Sequence, residues 1–232
     1  LGFNLTSQIN APKYSNEFLN IGVGARSLAM SNSVITSTNS AMSGYLNPAN
    51  LIKNENDIQI GLMHAEYFAG IAKYDFGSIS KRIDDKSSFG FSFLRFGVDN
   101  IPNTSELIDA QGNVNYDRVS YFSAADLAFI GSYARKLNKY LSVGGSAKII
   151  NRKAGDFASA WGFGIDLSST YSKNDWSFAL VAKDITSTFN VWKYQLSNEM
   201  ISTFISTGNE LPQNGIELTL PKLILGASKE FH

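Results

Sequence analysis

Large apolar side chains alternate with small or polar ones along most of the chain that follows residue 57. Phe89, Phe91 and Phe93, for example, are separated by one Gly and one Ser. Successive side chains of a β-strand point to opposite faces of its sheet, so this period of two predicts strands. Eight segments share the pattern: 58–62, 72–76, 89–93, 127–133, 141–149, 161–167, 176–180 and 223–227. The chain is therefore predicted to be all-β.

Two architectures accommodate strands with one large apolar face. In a soluble β-sandwich that face is the core, whereas in a transmembrane β-barrel it contacts lipid and the small face lines the interior. The small face here is built from Gly, Ser and Ala, and charged residues make up only 17% of the chain. Gly weakens a strand unless another part of the protein packs closely against it. This composition favours the barrel, with a crowded interior.

The connections between the predicted strands also favour an antiparallel barrel, which has short turns at one end and longer loops at the other. Short polar connections are expected at 81–88, 136–140 and 172–175, long ones at 99–122 and 184–220, and one of intermediate length at 152–159. The tight turn at 68–70 is the exception to this alternation of short and long connections.

Four charged residues occupy the small face of four successive strands. They alternate in sign along the chain: Asp126, Lys148, Asp166 and Lys183. Because neighbouring strands lie about 4.8 Å apart, these side chains are placed to form a charge ladder inside the wall. Four separately hydrated charges are the alternative.

Residues 1–56 lack this alternation and form a separate N-terminal unit. The stretch 16–35 is apolar, with small residues at Gly22 and Gly24, and the stretch 37–52 is rich in turn formers around Pro48. A short helix and a folded-back loop are expected here, too apolar to lie free in water. We interpret 1–56 as a plug segment and 57–232 as the β-barrel.

Composition excludes several classes of function. A formal net charge of zero removes the electrostatic basis for binding nucleic acid, and the absence of Cys with only two His excludes thiolate and His-rich metal sites. The run that begins at Gly22 lacks the third Gly of a dinucleotide fingerprint. No catalytic constellation occurs, so no enzyme activity, cofactor or metal is expected.

The predicted connection 184–220 is unusually apolar for a loop. It carries five large side chains that are typical of protein-interaction hot spots: Phe189, Trp192, Tyr194, Met200 and Phe204. We interpret them as a partner-binding surface. The alternative is a lid that folds inward over a core.

Several motifs resemble one known family. FLNIGVGARSLAM (18–30) followed by SGYLNPANL (43–51), and then DLAFIGSYARKL (126–137) and GGSAKIINRKAGDFASAWGFGIDL (144–167), resemble the PorV/PorQ family of Bacteroidetes outer-membrane proteins. The tripeptide Asn47-Pro48-Ala49 is similar to one in the wider FadL-like class of hydrophobic-compound transporters. The resemblance extends over most of the chain.

The resemblance implies a FadL-like barrel of fourteen strands in the bacterial outer membrane, whereas about eight are predicted here, so a chain incomplete at its C-terminus is expected. It also implies a non-enzymatic role in type IX protein secretion. Such a protein binds the C-terminal domains of secreted cargo released by the translocon and passes them to a sortase complex. By position, Gly22, Gly24, Arg26 and 47–49 are structural plug residues.

Two other functions stay open at this point. The first is passive transport of hydrophobic small molecules through a FadL-like interior. The second is a secreted β-sandwich that acts as a binding module.

Overall fold

The computed structural model describes residues 15–104, 107, 113–206 and 208–231. The N-terminal segment, defined here as residues 15–56, contains only short helices. These are a 3₁₀ helix at Glu17–Asn20, α1 at Ala25–Ala29, α2 at Ser43–Leu46 and a second 3₁₀ helix at Pro48–Lys53. A third 3₁₀ helix at Tyr116–Arg118 and α3 at Asn198–Ser206 lie in later connections.

The rest of the described chain is mostly antiparallel β-sheet. Its strands are β1 (Ile58–Tyr67), β2 (Ala72–Asp84), β3 (Ser87–Asn103), β4 (Ser120–Lys136), β5 (Leu141–Ala154), β6 (Ala158–Lys173), β7 (Trp176–Lys183), β8 (Phe189–Tyr194), β9 (Gly215–Leu218) and β10 (Lys222–Lys229). Short turns join β2 to β3, β4 to β5 and β6 to β7. The prediction of an intermediate connection at 152–159 was wrong, because residues 155–157 alone join β5 to β6. The prediction of an all-β chain is confirmed.

The ten strands follow eight tracks across one sheet. β1 to β6 pair in chain order, and β6 then pairs with β7 through residues 167–173 and with β8 through residues 158–163. β10 pairs with β7, and β9 pairs with β8. β7 and β8 are therefore two halves of one track, interrupted at 184–188, and β9 and β10 are two halves of the next.

The described sheet is open. β1 and β10 lie at its two ends and are not paired with each other. All described strands belong to one sheet, whereas a β-sandwich needs two sheets packed face to face. In the described ranges, no helix has both the length and the apolar character needed to cross a membrane.

One face of the sheet, called here the inner face, is covered by the N-terminal segment. Nine of its buried side chains carry hydroxyl groups: Ser78, Ser80, Ser88, Ser92, Ser132, Ser142, Ser146, Ser168 and Thr170. The largest apolar cluster lies on the same face, where Phe18, Val23 and Tyr45 of the N-terminal segment pack against Phe76 and Leu94 of the sheet. The N-terminal segment is therefore built from short helices and turns that pack on the small face of the sheet.

The opposite face, called here the outer face, carries large apolar side chains that nothing in the described chain covers. They are Ile58, Ile60, Leu62, Ile79, Phe89, Phe91, Tyr133, Ile149, Trp161, Phe163, Leu167, Tyr171, Trp176, Phe178, Leu180, Phe189, Val191, Ile216, Leu218, Leu223 and Leu225. Phe91 is 41% exposed and Trp161 is 59% exposed. The predicted orientation, with large side chains outward, is therefore confirmed for seven of the eight segments.

The second segment has the reverse orientation. Tyr74 and Phe76 are buried on the inner face, while Lys73 and Asp75 point outward. The reason is local packing, because the Tyr45 ring meets the Phe76 ring edge-on with centroids 5.7 Å apart. The inner face of β2 therefore carries aromatic side chains where the N-terminal segment packs against it.

The prediction that 184–220 is a single long loop was wrong. Residues 189–194 and 215–218 are strands β8 and β9, and residues 198–206 form α3. The alternation of 189–194 is hidden in the sequence because Trp192 and Tyr194 are large side chains on the inner side. The true connection between the tracks spans 195–214.

Candidate functional site

The outer face forms a continuous apolar band. Outer residues of neighbouring strands lie opposite one another, as in the row Leu62, Gly77, Phe93, Phe129, Ile149 and Phe163. The Phe93 and Phe129 rings are 5.3 Å apart. Soluble monomers rarely expose apolar patches larger than a few hundred Å². This band is therefore a candidate contact surface rather than a solvated face.

A network of charged residues borders the band on β1 to β3. His64 Nδ1 lies 2.6 Å from Asp75 Oδ1, and Arg95 lies 3.6 Å from Asp75 and 3.4 Å from Asp99. Lys73 reaches Asp99 at 3.8 Å. These exposed ion pairs contribute little to stability, and they mark where the apolar band ends on this side.

The tripeptide Asn47-Pro48-Ala49 is docked on the inner face. The Asn47 amide nitrogen donates to the Ile35 carbonyl at 2.6 Å and to the Thr170 hydroxyl at 2.9 Å. The Ala49 backbone N–H donates to Ser168 Oγ at 2.9 Å. These bonds tie the N-terminal segment to β6, as the predicted structural role of 47–49 requires.

Space for the tripeptide comes from a glycine. A Cβ on Gly144 would lie 2.4 Å from the Ala49 backbone nitrogen and 2.6 Å from the Pro48 carbonyl carbon. Only Gly therefore permits this approach. The expectation that Gly on the small face marks close packing is confirmed at this position.

The other predicted plug residues lie at the start of the N-terminal segment. Gly22 and Gly24 have φ values of 95° and 85°, a region that favours Gly, and both are buried. A Cβ on Gly22 would meet the Asn32 side chain at 2.2 Å. Arg26 is exposed in α1, so it does not contribute to the packed part of the segment.

Tyr45 and Lys53 are two titratable groups of the N-terminal segment that are altered by burial. Desolvation raises the pKa of the Tyr45 hydroxyl, which donates to the Leu19 carbonyl. Burial lowers the pKa of Lys53, whose ammonium group donates to the Thr36 carbonyl at 2.7 Å. Both groups serve packing within the segment.

The four charged residues of the predicted ladder are divided between separate clusters. Lys148 lies 2.8 Å from Asp166 and 2.6 Å from Asp184, and all three side chains are buried. Asp166 also accepts from the Asp184 backbone N–H at 2.7 Å, and Asp184 accepts from the Thr188 hydroxyl. Asp184 was not predicted, since it lies in the interruption between β7 and β8.

Asp126 belongs to a second cluster rather than to the ladder. Arg152 holds it in a two-point contact at 2.8 and 3.2 Å and also reaches Glu217 at 3.3 Å. The Arg152 guanidinium lies 5.0 Å from the Trp192 ring centroid. The continuous ladder was therefore wrong, because Arg152 sits directly opposite Asp126 in the β4–β5 register and pairs with it first.

Lys183 ends the predicted ladder without an ion pair in the described chain. Its ammonium group lies 4.8 Å from the Tyr45 ring centroid, a cation–π distance. In the β7–β10 register, Lys183 lies directly opposite a second lysine, Lys222.

The five predicted partner-binding residues are separated by the structure. Phe189, Trp192 and Tyr194 lie in β8, where Phe189 points outward and the other two point inward, and Met200 and Phe204 lie in α3. Their placement in one exposed loop was therefore wrong for the first three. Trp192 and Tyr194 stack on each other with centroids 6.0 Å apart.

No protein-family model matches the chain, and no curated protein is significantly similar to it.

Proposed function

We propose that this sheet forms part of the wall of a β-barrel in the bacterial outer membrane, with the outer face in contact with lipid and the N-terminal segment inside. The observation that carries the proposal is the contrast between the faces: large apolar side chains are exposed on the outer face, while Ser residues and ion pairs are buried on the inner face beside an apolar cluster. Lipid-facing and interior residues of membrane barrels alternate in this way.

The height of the apolar band supports this proposal. On β6 the outer residues run from Trp161 to Tyr171, which are ten residues apart. At about 3.3 Å per residue this is about 33 Å along the strand, and a tilt of about 40° reduces it to roughly 25 Å along the membrane normal. Lipid-facing bands of outer-membrane barrels have this height and are bordered by aromatic residues.

Brominated lipids test the proposal, because bromine on acyl chains quenches tryptophan fluorescence at short range. The chain has three Trp, so single-Trp variants are made by replacing the other two with Phe. In phosphatidylcholine vesicles, the Trp161 variant is expected to be strongly quenched and the Trp192 variant, with its ring inside, weakly quenched. Equal quenching of both, or protein that stays in solution without lipid or detergent, would contradict the proposal.

The proposed activity is non-enzymatic: the barrel binds C-terminal domains of secreted cargo during type IX secretion, in contact with the translocon and sortase components. The resemblance of 18–30, 43–51, 126–137 and 144–167 to the PorV/PorQ family supports this assignment. The docked Asn47-Pro48-Ala49 tripeptide fits a plug within such a barrel.

Cargo contact is assigned to α3. This helix lies in the connection 195–214, at the same end of the sheet as the long connection between β3 and β4. Ile205 is 66% exposed, and Met200 and Phe204 are half-buried. Trp192 and Tyr194, which point inward, are left out of the contact surface.

A binding experiment tests α3. The triple variant Met200→Ser, Phe204→Ser, Ile205→Ser is compared with Val114→Ser, Tyr116→Ser, a matched loss of exposed apolar area in the other long connection. Purified cargo C-terminal domains are titrated onto detergent-solubilised protein. The α3 variant is expected to bind at least about tenfold more weakly, and the control to bind normally. Unchanged binding by the α3 variant would exclude the helix, and recovery of lipid from the parent in place of cargo would favour small-molecule uptake.

A further inference from the structure

A cavity of about 550 Å³ lies between the N-terminal segment and the last track of the sheet. Its polar lining includes Asn20, Asn32 and Thr36 of the segment and Lys183 and Lys222 of the strands. The apolar part of the lining is formed by Leu19, Ile35, Leu46 and Ile224. The cavity does not include α3, and it extends along the edge strand β10 to Leu225 and Ala227.

The charge in this cavity is unbalanced. Lys183 and Lys222 lie directly opposite each other on neighbouring strands, an arrangement that destabilises a sheet when nothing bridges the two charges. Among the described residues that line the cavity, none is Asp or Glu. Lys222 donates to Asn20 Oδ1 at 3.0 Å, and the Lys183 ammonium lies over the Tyr45 ring. Both contacts leave the two positive charges unneutralised.

The two carboxylates that border a cavity with Lys183, one on β6 and one directly after β7, have other partners. Asp166 and Asp184 border the adjoining smaller cavity together with Lys148 and Lys183. Lys148 contacts both carboxylates at 2.8 and 2.6 Å. With Lys222 included, this group has three cations and two anions, so its formal charge is +1. One further anion would balance it.

We propose that this cavity binds the oxyanion of a small amphiphilic ligand, with a carboxylate or phosphate group between Lys183 and Lys222. Hydrogen bonds between charged partners are shorter and stronger than neutral ones, so two ammonium groups select an anion over a neutral ligand. The Asn20 amide donates one N–H to Glu17 at 2.9 Å and the Asn32 amide donates one to the Ile21 carbonyl at 3.4 Å, so each has a second N–H for the ligand. The apolar lining accommodates a short hydrocarbon body. The proposal is independent of the cargo-binding function and of α3.

Calorimetric titration of the full chain in non-ionic detergent tests the site. Hexyl phosphate is the probe, inorganic phosphate tests a free anion as the source, and hexyltrimethylammonium is the cationic control. The parent protein is expected to bind hexyl phosphate and not hexyltrimethylammonium. Weaker binding of inorganic phosphate would assign the site to an amphiphile, and equal binding of the two phosphates would assign it to a free anion.

Lysine variants locate the binding. Lys222→Met and Lys183→Met are each expected to weaken binding of hexyl phosphate about tenfold or more, while Lys222→Arg retains it. The control is Lys193→Met, which removes an exposed lysine on the outer side of β8. Because Lys222 is exposed, its variant keeps the test valid if Lys183→Met fails to fold. The proposal is overturned if Lys222→Met binds like the parent, or if the parent binds neither phosphate.

Discussion

On β6, polar side chains are buried on one face and large apolar side chains are exposed on the other. Asp166, Ser168 and Thr170 point inward and are buried, whereas Leu167 and Tyr171 point outward and are 51% and 41% exposed. Each inward residue has a specific partner, such as Lys148 for Asp166 and Asn47 for Thr170. The outward residues have only apolar character in common.

The difference indicates that each inner-face residue is required for a particular contact, whereas an outer-face residue is required only to be apolar. Buried polar groups are stable only when their partners are present, so an inner substitution is costly wherever it removes a partner. An outer substitution is costly only when it brings charge into the apolar band.

The largest effect is expected for Lys148→Met. This change leaves the buried Asp166 and Asp184 carboxylates without their shared cation, and breaking a buried ion pair costs about 3–5 kcal/mol. The free energy of unfolding in urea, followed by tryptophan fluorescence in detergent, measures the loss. Lys193→Met on the outer side is the control, with a change within about 0.5 kcal/mol. Similar losses for both variants would remove the distinction between the faces.

A charged residue placed in the apolar band is expected to lower the free energy of unfolding by less than Lys148→Met does. The loss depends on the depth of the residue in the membrane. Leu167 lies near the middle of the Trp161–Tyr171 span, so Leu167→Lys should destabilise the membrane-inserted protein by about 2–4 kcal/mol. Tyr171→Lys, at the edge of the band, should cost about 0–1 kcal/mol. Unfolding from phospholipid vesicles gives both values. Equal costs at the two positions would contradict the proposed membrane depth.

The smallest change in stability is expected when a glycine is replaced by alanine. The change has opposite signs for a glycine on the inner face and one on the outer face. Gly144→Ala forces a methyl group against the backbone of Pro48 and Ala49, and overpacking of this kind costs about 1–3 kcal/mol. A Cβ on Gly131, on the outer face, meets nothing within 4 Å. Gly131→Ala should therefore stabilise the strand by about 0.5–1 kcal/mol. The same urea titration compares them. An unchanged stability for Gly144→Ala would contradict the docked tripeptide, and a loss for Gly131→Ala would contradict the open space on the outer face.

Much of the fold could be predicted from alternation alone. Phe89, Phe91 and Phe93 point outward as expected, because Gly90 and Ser92 between them leave room for the N-terminal segment. The reversed orientation of Tyr74 and Phe76 could not be predicted, since it depends on Tyr45, a residue from a segment without strand periodicity.

The candidate sites were harder to predict. Lys148 and Asp166 were correctly placed together. Their third partner, Asp184, lies in the irregular interruption between β7 and β8, where the alternation of side chains no longer indicates which face a residue occupies. Arg152 was missed as the partner of Asp126 because the predicted fifth strand ended at residue 149, while β5 continues to Ala154. Lys222 was missed because its position opposite Lys183 depends on the β7–β10 register.

The docking of the N-terminal segment has a consequence for the order of events during synthesis. Asn47 leaves the ribosome long before Thr170, its hydrogen-bonding partner 123 positions later, and Asn16 bonds to Thr219, which is 203 positions away. Contacts of such wide sequence separation form slowly, because a long loop must close first. The N-terminal segment therefore waits a long time for its partners in the sheet, and a holding chaperone would protect its apolar side chains from aggregation during that interval.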